Sequence, residues 1–129
     1  KLRIAEAEAL LSLSKPLPDG AYYLAGYAVE CAIKACIAKT VKKYDFPDKQ
    51  LANKAYTHDL EQLLRHAELE LEFEAEARGN PALSQTWSCV REWSETCRYG
   101  RPALTKARKM IAAIVHETNG GLPWITARW

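Results

Sequence analysis

Apolar residues recur along this chain with the spacing of helices, and the interruptions are sharply marked. Positions 2–13, LRIAEAEALLSL, predict a first helix that stops at the loop Ser14-Lys15-Pro16-Leu17-Pro18. Asp19 is placed to cap a second helix, running through AYYLAGYAVECAIKACIAK to about Lys42. A looser segment, YDFPDKQLANKAY, covers 44–56, and Thr57 or Asp59 can cap a third helix, LEQLLRHAEL. The stretch ELELEFEAE at 68–76 alternates with period two, which is a strand signature. Glu, Leu and Ala favour helix, however, and no second strand is available to pair with it, so it reads as a short extended or helical connector. Asn80-Pro81 opens a fourth helix, ALSQTWSCVREWSETC, and Gly100-Arg101-Pro102 repeats that start signal for a fifth, ending at Asn119-Gly120-Gly121. The tail LPWITARW, with its two tryptophans, is expected to fold back onto the rest. The predicted class is all-α: one domain over 1–129, an up-and-down bundle of four to five helices with short connections.

The second helix carries an anomaly. Tyr23, Tyr27, Glu30 and Lys34 are spaced by four, three and four residues, so they form a polar stripe on one face of an otherwise apolar helix. Glu30 precedes Lys34 by four, the favourable order for a helical ion pair. The stripe is either solvent-facing, a network satisfied inside the bundle, or one wall of a polar cleft. Gly26 lies within this helix at a cost of about 1 kcal/mol in propensity. That cost points to close approach by another backbone, from a helix of the bundle or of a partner subunit.

Composition narrows the class. At 129 residues, with 48% hydrophobic and 26% charged residues, the chain has the make-up of an ordinary globular domain. Glu30, Lys34 and Lys39 interrupt the most apolar helix too early for a bilayer span, so no membrane association is expected. The chain opens on Lys1 in helix-like sequence without an initiator Met, which suggests trimming, and no signal peptide is visible. Cys31, Cys36, Cys89 and Cys97 form no C-x-x-C and have no histidine at zinc-ligand spacing. They read as buried small hydrophobes in a reducing cytoplasm, with no metal site and no cofactor.

The run AYYLAGYAVECAIKACIAK, then YTHDLEQLL, then W-x5-W-x4-RYG with Trp87, Trp93, Arg98 and Tyr99, and finally PWITARW, resembles the HEPN domain family. The resemblance covers nearly the whole chain. It implies a helical bundle that is commonly a homodimer, and in many cases partnered with a minimal nucleotidyltransferase in toxin–antitoxin or defence systems. Active members carry an Arg, four to six intervening residues and a His, for metal-independent cleavage of RNA. The Arg balances phosphate charge and the His moves protons. This chain departs from that pattern. Arg65 and His66 are adjacent, Arg108 and His116 are separated by about 12 Å of helix axis, and His58 has no Arg in the preceding window. His58 instead reads as a helix-start residue or a member of a polar network.

The net charge of +2 conceals a separation of charge. Residues 98–109, RYGRPALTKARK, hold five Arg or Lys and no acid, while 68–76 hold five Glu and no base. Arg98, Tyr99, Arg101, Lys106 and Lys109 are therefore the candidate contacts to RNA or a nucleotide, the cations for phosphate and Tyr99 for stacking. The rival reading is a solvated basic face, with Arg98 bridged to Glu95 or Glu30. The expectation is a non-catalytic or atypical HEPN-like component, with no catalytic residue assigned, that binds RNA, a nucleotide or a nucleotidyltransferase partner. A ribonuclease toxin with a rearranged site and a purely structural dimeric module are the alternatives.

Overall fold

The computed structural model describes residues 1–41 and 48–129, and every described regular element is helical. The elements are α1 (Leu2–Ser12), α2 (Pro18–Thr40), α3 (Lys49–Lys54), α4 (Leu60–His66), α5 (Glu70–Gly79) and α6 (Pro81–Val90). A 3-10 turn (Glu95–Tyr99), α7 (Leu104–Val115) and α8 (Gly121–Thr126) complete the order. The class is the expected one, but the described residues hold eight α-helices where four to five were predicted.

Helix α2 is the central element, packed against α1, α4, α7, α8 and the 3-10 turn. It can serve so many neighbours because Ala21, Ala25, Ala28 and Ala32 are buried and let other helices approach closely, while Val29, Ile33 and Ile37 fill the space between. From α7, Ala107, Met110, Ile111 and Ile114 enter the same core, as do Leu60, Leu63 and Leu64 of α4. The tail does fold back. Trp124 of α8 meets Phe73 edge-on at 4.9 Å, Phe73 meets Trp87 at 5.0 Å, and Trp129 Nε1 donates to the Ala32 carbonyl at 3.2 Å.

Several boundaries differ from the sequence reading, each for a local reason. Asp19 does not cap α2; Pro18 occupies the first turn and Leu17 the cap position, leaving Asp19 as a first-turn acid. The predicted end of that helix near Lys42, and the start of the looser segment at 44–47, lie outside the described residues. The rest of that segment includes α3, capped by the Asp48 side chain accepting from Gln50 N–H. Of the two candidates for the next cap, Asp59 holds the position, its Oδ1 accepting from the Glu61 and Gln62 amides.

The period-two stretch is helical, as α5, because Phe73 and Ala77 fall on one face and pack inward. Asn80 caps α6 as expected, its side chain accepting from the Leu83 amide. That helix ends at Val90 instead of continuing to Cys97, since the chain turns to drive Trp93 into the core. The start signal at Gly100-Arg101-Pro102 does not open α7, which begins at Leu104 after an extended Ala103 with no side-chain cap. Its helical turns stop at Val115, short of Asn119.

The neighbour of Gly26 is an indole, not a backbone. A Cβ there would lie 2.3 Å from Trp93 Cγ and Cδ1, so the ring of Trp93 occupies the space a side chain would need. The glycine is therefore used inside this chain, and the expected helix or subunit contact at this point is corrected to a side-chain one.

Candidate functional site

The stripe on α2 folds into a network around a buried charge. Glu30 is 2% exposed, so the solvent-facing reading of this residue fails. Lys34 Nζ donates to Glu30 Oε1 at 2.8 Å across one helical turn. A second partner comes from outside the helix: His58 Nδ1 lies 3.1 Å from Oε1 and 3.0 Å from Oε2 of the same carboxylate. A buried carboxylate without partners would be costly, and here two donors satisfy it.

The position of His58 follows from the cap that starts α4. Asp59 N–H donates to Thr57 Oγ1 at 3.1 Å, and Asp59 itself caps the helix, so the turn at 57–59 is braced on both sides of His58. An ionised carboxylate only accepts, which means that Nδ1 carries the hydrogen in this contact. In the neutral ring Nε2 is then an acceptor. The His58 side chain is 44% exposed and that of Lys34 30%, so both partners keep contact with solvent while the carboxylate between them does not.

Toward the other end of the stripe, the rings of Tyr23 and Tyr27 lie 6.0 Å apart with planes 6° from parallel. Both are partly exposed. Tyr23 also packs at 6.2 Å against Trp93, whose Nε1 is buried with no hydrogen-bond partner among the described residues. The Tyr27 phenol is held above its ordinary value, chiefly by the neighbouring Cys31 sulfur and a hydrogen bond to it. Cys31 itself is exposed, against the expectation of four buried cysteines; Cys36 is buried, and Cys89 and Cys97 are half-buried.

The basic segment divides into two parts. Arg98 and Tyr99 sit in the 3-10 turn, not at the end of a long fourth helix. The Arg98 guanidinium lies 5.3 Å from the centre of the Tyr99 ring, and Tyr99 is 82% exposed. Arg98 and Arg101 make no ion pair among the described residues, so the proposed bridges from Arg98 to Glu95 or Glu30 do not form. No hydrogen bond joins Arg98 to the first turn of α7, which the extended stretch at Gly100 and Ala103 sets apart.

Lys106 and Lys109, on α7, line a 320 Å³ pocket with Tyr22, Cys89, Glu92 and Thr105. There Lys106 lies 3.7 Å from Glu92 and 5.4 Å from the centre of the Tyr22 ring. Burial raises the Tyr22 phenol, with the nearby Cys97, Glu92 and Cys89 adding to the shift.

No sequence pattern pointed to a larger pocket, about 620 Å³, between α4, α5 and α6. Leu64, Phe73 and Trp87 line it, but the charges at its rim are largely paired, Arg65 with Glu70 and Arg91 with Glu61. His66 is half-buried at the end of α4, and His116 Nδ1 accepts from the Asn119 amide in the turn after α7. Among the described residues no group of three His, Cys, Asp or Glu side chains could hold a metal ion, and no helix is long and apolar enough to cross a membrane. No protein family, curated protein or solved structure matches this chain.

Proposed function

We propose that this chain is a HEPN-like helical module that binds a nucleotide or RNA through its basic segment without cutting it. The observation that carries the reading is the exposure of Arg98, Tyr99 and Arg101: two cations with no ion pair among the described residues flank, in sequence, an aromatic ring that is 82% exposed. Guanidinium groups suit phosphate oxygens and an exposed phenol ring suits a base. Lys106 and Lys109, next along the chain, add positive charge at the mouth of a pocket that half-buries Cys89 and buries Tyr22. The resemblance of the sequence to the HEPN family supports the choice of ligand and a nucleotidyltransferase as protein partner. The missing Arg-x4-6-His spacing supports binding without turnover.

The test is a titration of fluorescein-labelled octauridylate followed by anisotropy at two salt concentrations, beside a gel assay for cleavage in EDTA. Binding that weakens with salt, and weakens further in Arg98→Ala and Lys109→Ala while both variants melt like the parent, is the expected result. Binding indifferent to both changes would reject this surface. Cleavage that disappears with Arg98→Ala would make the protein a nuclease instead.

A further inference from the structure

The strongest feature that this function leaves unused is the stripe on α2 with His58 at its end. It combines three things: a pair of parallel, partly exposed tyrosine rings, a lysine with hydrogens to spare, and an imidazole with one nitrogen committed. Lys34 gives one of its three hydrogens to Glu30, which leaves two for another acceptor. His58 gives Nδ1–H to Glu30 and, when neutral, presents Nε2 as an acceptor on an exposed side chain. Glu30, Lys34 and neutral His58 sum to no net charge, so the imidazole is not set up as an anion site. It is set up to accept a hydrogen from a hydroxyl.

From Tyr23 to Lys34 the stripe runs eleven residues of helix, about 17 Å. That is longer than a mononucleotide. The turn bearing Arg98 and Tyr99 packs against α2, as does α4 behind His58, so the stripe lies on the element shared by both sites. A ligand with planar groups, phosphates and hydroxyls repeated along a chain matches this order of features. We propose that the stripe is a path for single-stranded polynucleotide, in which Tyr23 and Tyr27 stack bases, Lys34 meets a phosphate and His58 Nε2 accepts from a ribose 2′-hydroxyl.

The proposal rests on the reading that the basic segment binds a nucleotide or RNA, and it adds the form of the ligand and the group that tells ribose from deoxyribose. Aromatic stacking tolerates any base, and the 2′-hydroxyl is the one donor that DNA lacks. The buried carboxylate is what makes the discrimination sharp. By fixing which imidazole nitrogen carries hydrogen, it prevents His58 from presenting a donor in the neutral state.

The experiment compares uridine monophosphate, octauridylate, and the deoxy and 2′-O-methyl forms of the octamer by anisotropy competition at mildly alkaline pH. The octamer should bind more tightly than the mononucleotide. The ribo form should bind about 3- to 10-fold more tightly than either 2′-modified form, the worth of one hydrogen bond. His58→Ala should abolish that ratio, and Tyr27→Ala should weaken all octamers about 10-fold. If His58→Ala fails to fold, His58→Gln and the 2′-O-methyl contrast in the parent carry the same information.

Equal affinity for ribo and deoxy octamers, or a ratio that survives the loss of His58, overturns the proposal. Octamer and mononucleotide binding equally, with only Arg98→Ala weakening them, would keep the nucleotide site and reject the path. No binding of any probe would reject both. A Tyr27→Ala variant that changes the oligomeric mass but not the binding would assign the stripe to a second copy of this chain, which also overturns the proposal.

Discussion

The buried carboxylate of Glu30 and the solvent-facing imidazole of His58 are 3.0 Å apart, and 28 residues of sequence separate them. Lys34 reaches the same carboxylate at 2.8 Å. The charge that most needs compensation is therefore held from two sides, by partners that remain partly hydrated. Neither partner alone determines whether the site is satisfied.

This redundancy predicts strong non-additivity. Lys34→Met or His58→Leu alone should cost about 1–2 kcal/mol, the scale of one charged hydrogen bond to a group that keeps another. The two together leave Glu30 buried without either partner, and should cost about 0.5–3 kcal/mol beyond the sum of the singles. Adding Glu30→Leu to the double variant should recover most of that loss. Urea denaturation of the five proteins measures this, and strictly additive losses would show that Glu30 draws on some other partner.

Gly26 and Trp93 form a second coupled pair. Gly26→Ala places a methyl group 2.3 Å from the indole, so the ring or the helix must shift, at about 1–3 kcal/mol or more. In a Trp93→Leu background the same change should cost nearly nothing, because the ring has gone. The double-mutant cycle reads the coupling directly. Equal cost in both backgrounds would mean that the glycine is needed for helix geometry instead.

Glu68 is the one non-glycine residue with positive φ among those described, at 61°. The Glu68 amide bonds to the Arg65 carbonyl and the Leu69 amide to the Leu64 carbonyl, the pattern of a left-handed helix stop closing α4. A side chain in that conformation costs about 1–2 kcal/mol, part of which glycine returns as unfolded-state entropy. Glu68→Gly should therefore raise stability by about 0.5–1 kcal/mol, visible as a higher urea midpoint with an unchanged slope. A lower midpoint would contradict the assigned turn.

Alkaline pH should destabilise the fold in a defined window. Burial raises the Cys36 thiol above its ordinary 9.0 and the Tyr22 phenol above its ordinary 10.0. Between those ordinary values and the raised ones, the unfolded chain has lost protons that the folded chain retains. Stability is then fully present below about pH 9 and declines as pH rises further. Urea midpoints taken across that range should fall, and Cys36→Ala with Tyr22→Phe should flatten the slope. A midpoint that stays level in the parent would show that these groups titrate alike in both states.

The sequence by itself determined what local physics determines. Helical class followed from apolar spacing, the Asn80 cap from its side chain and the proline after it, and the Glu30–Lys34 pair from one turn of helix. Returning tryptophans at the tail were foreseeable because exposed indoles are disfavoured. Where competing local rules met, as in the alternating stretch that became α5, a buried face anchored by Phe73 decided the outcome. Only the tertiary structure could decide the rest. Glu30 is buried because helices from elsewhere in the chain enclose it, and His58 reaches it across 28 residues because the cap at Asp59 turns it there. The helix that should have continued past Val90 ends there, and the chain turns to seat Trp93 over Gly26. Spacing along a chain fixes which residues share a helix face; what covers that face depends on where distant segments pack, and on whether a side chain exists to keep them away.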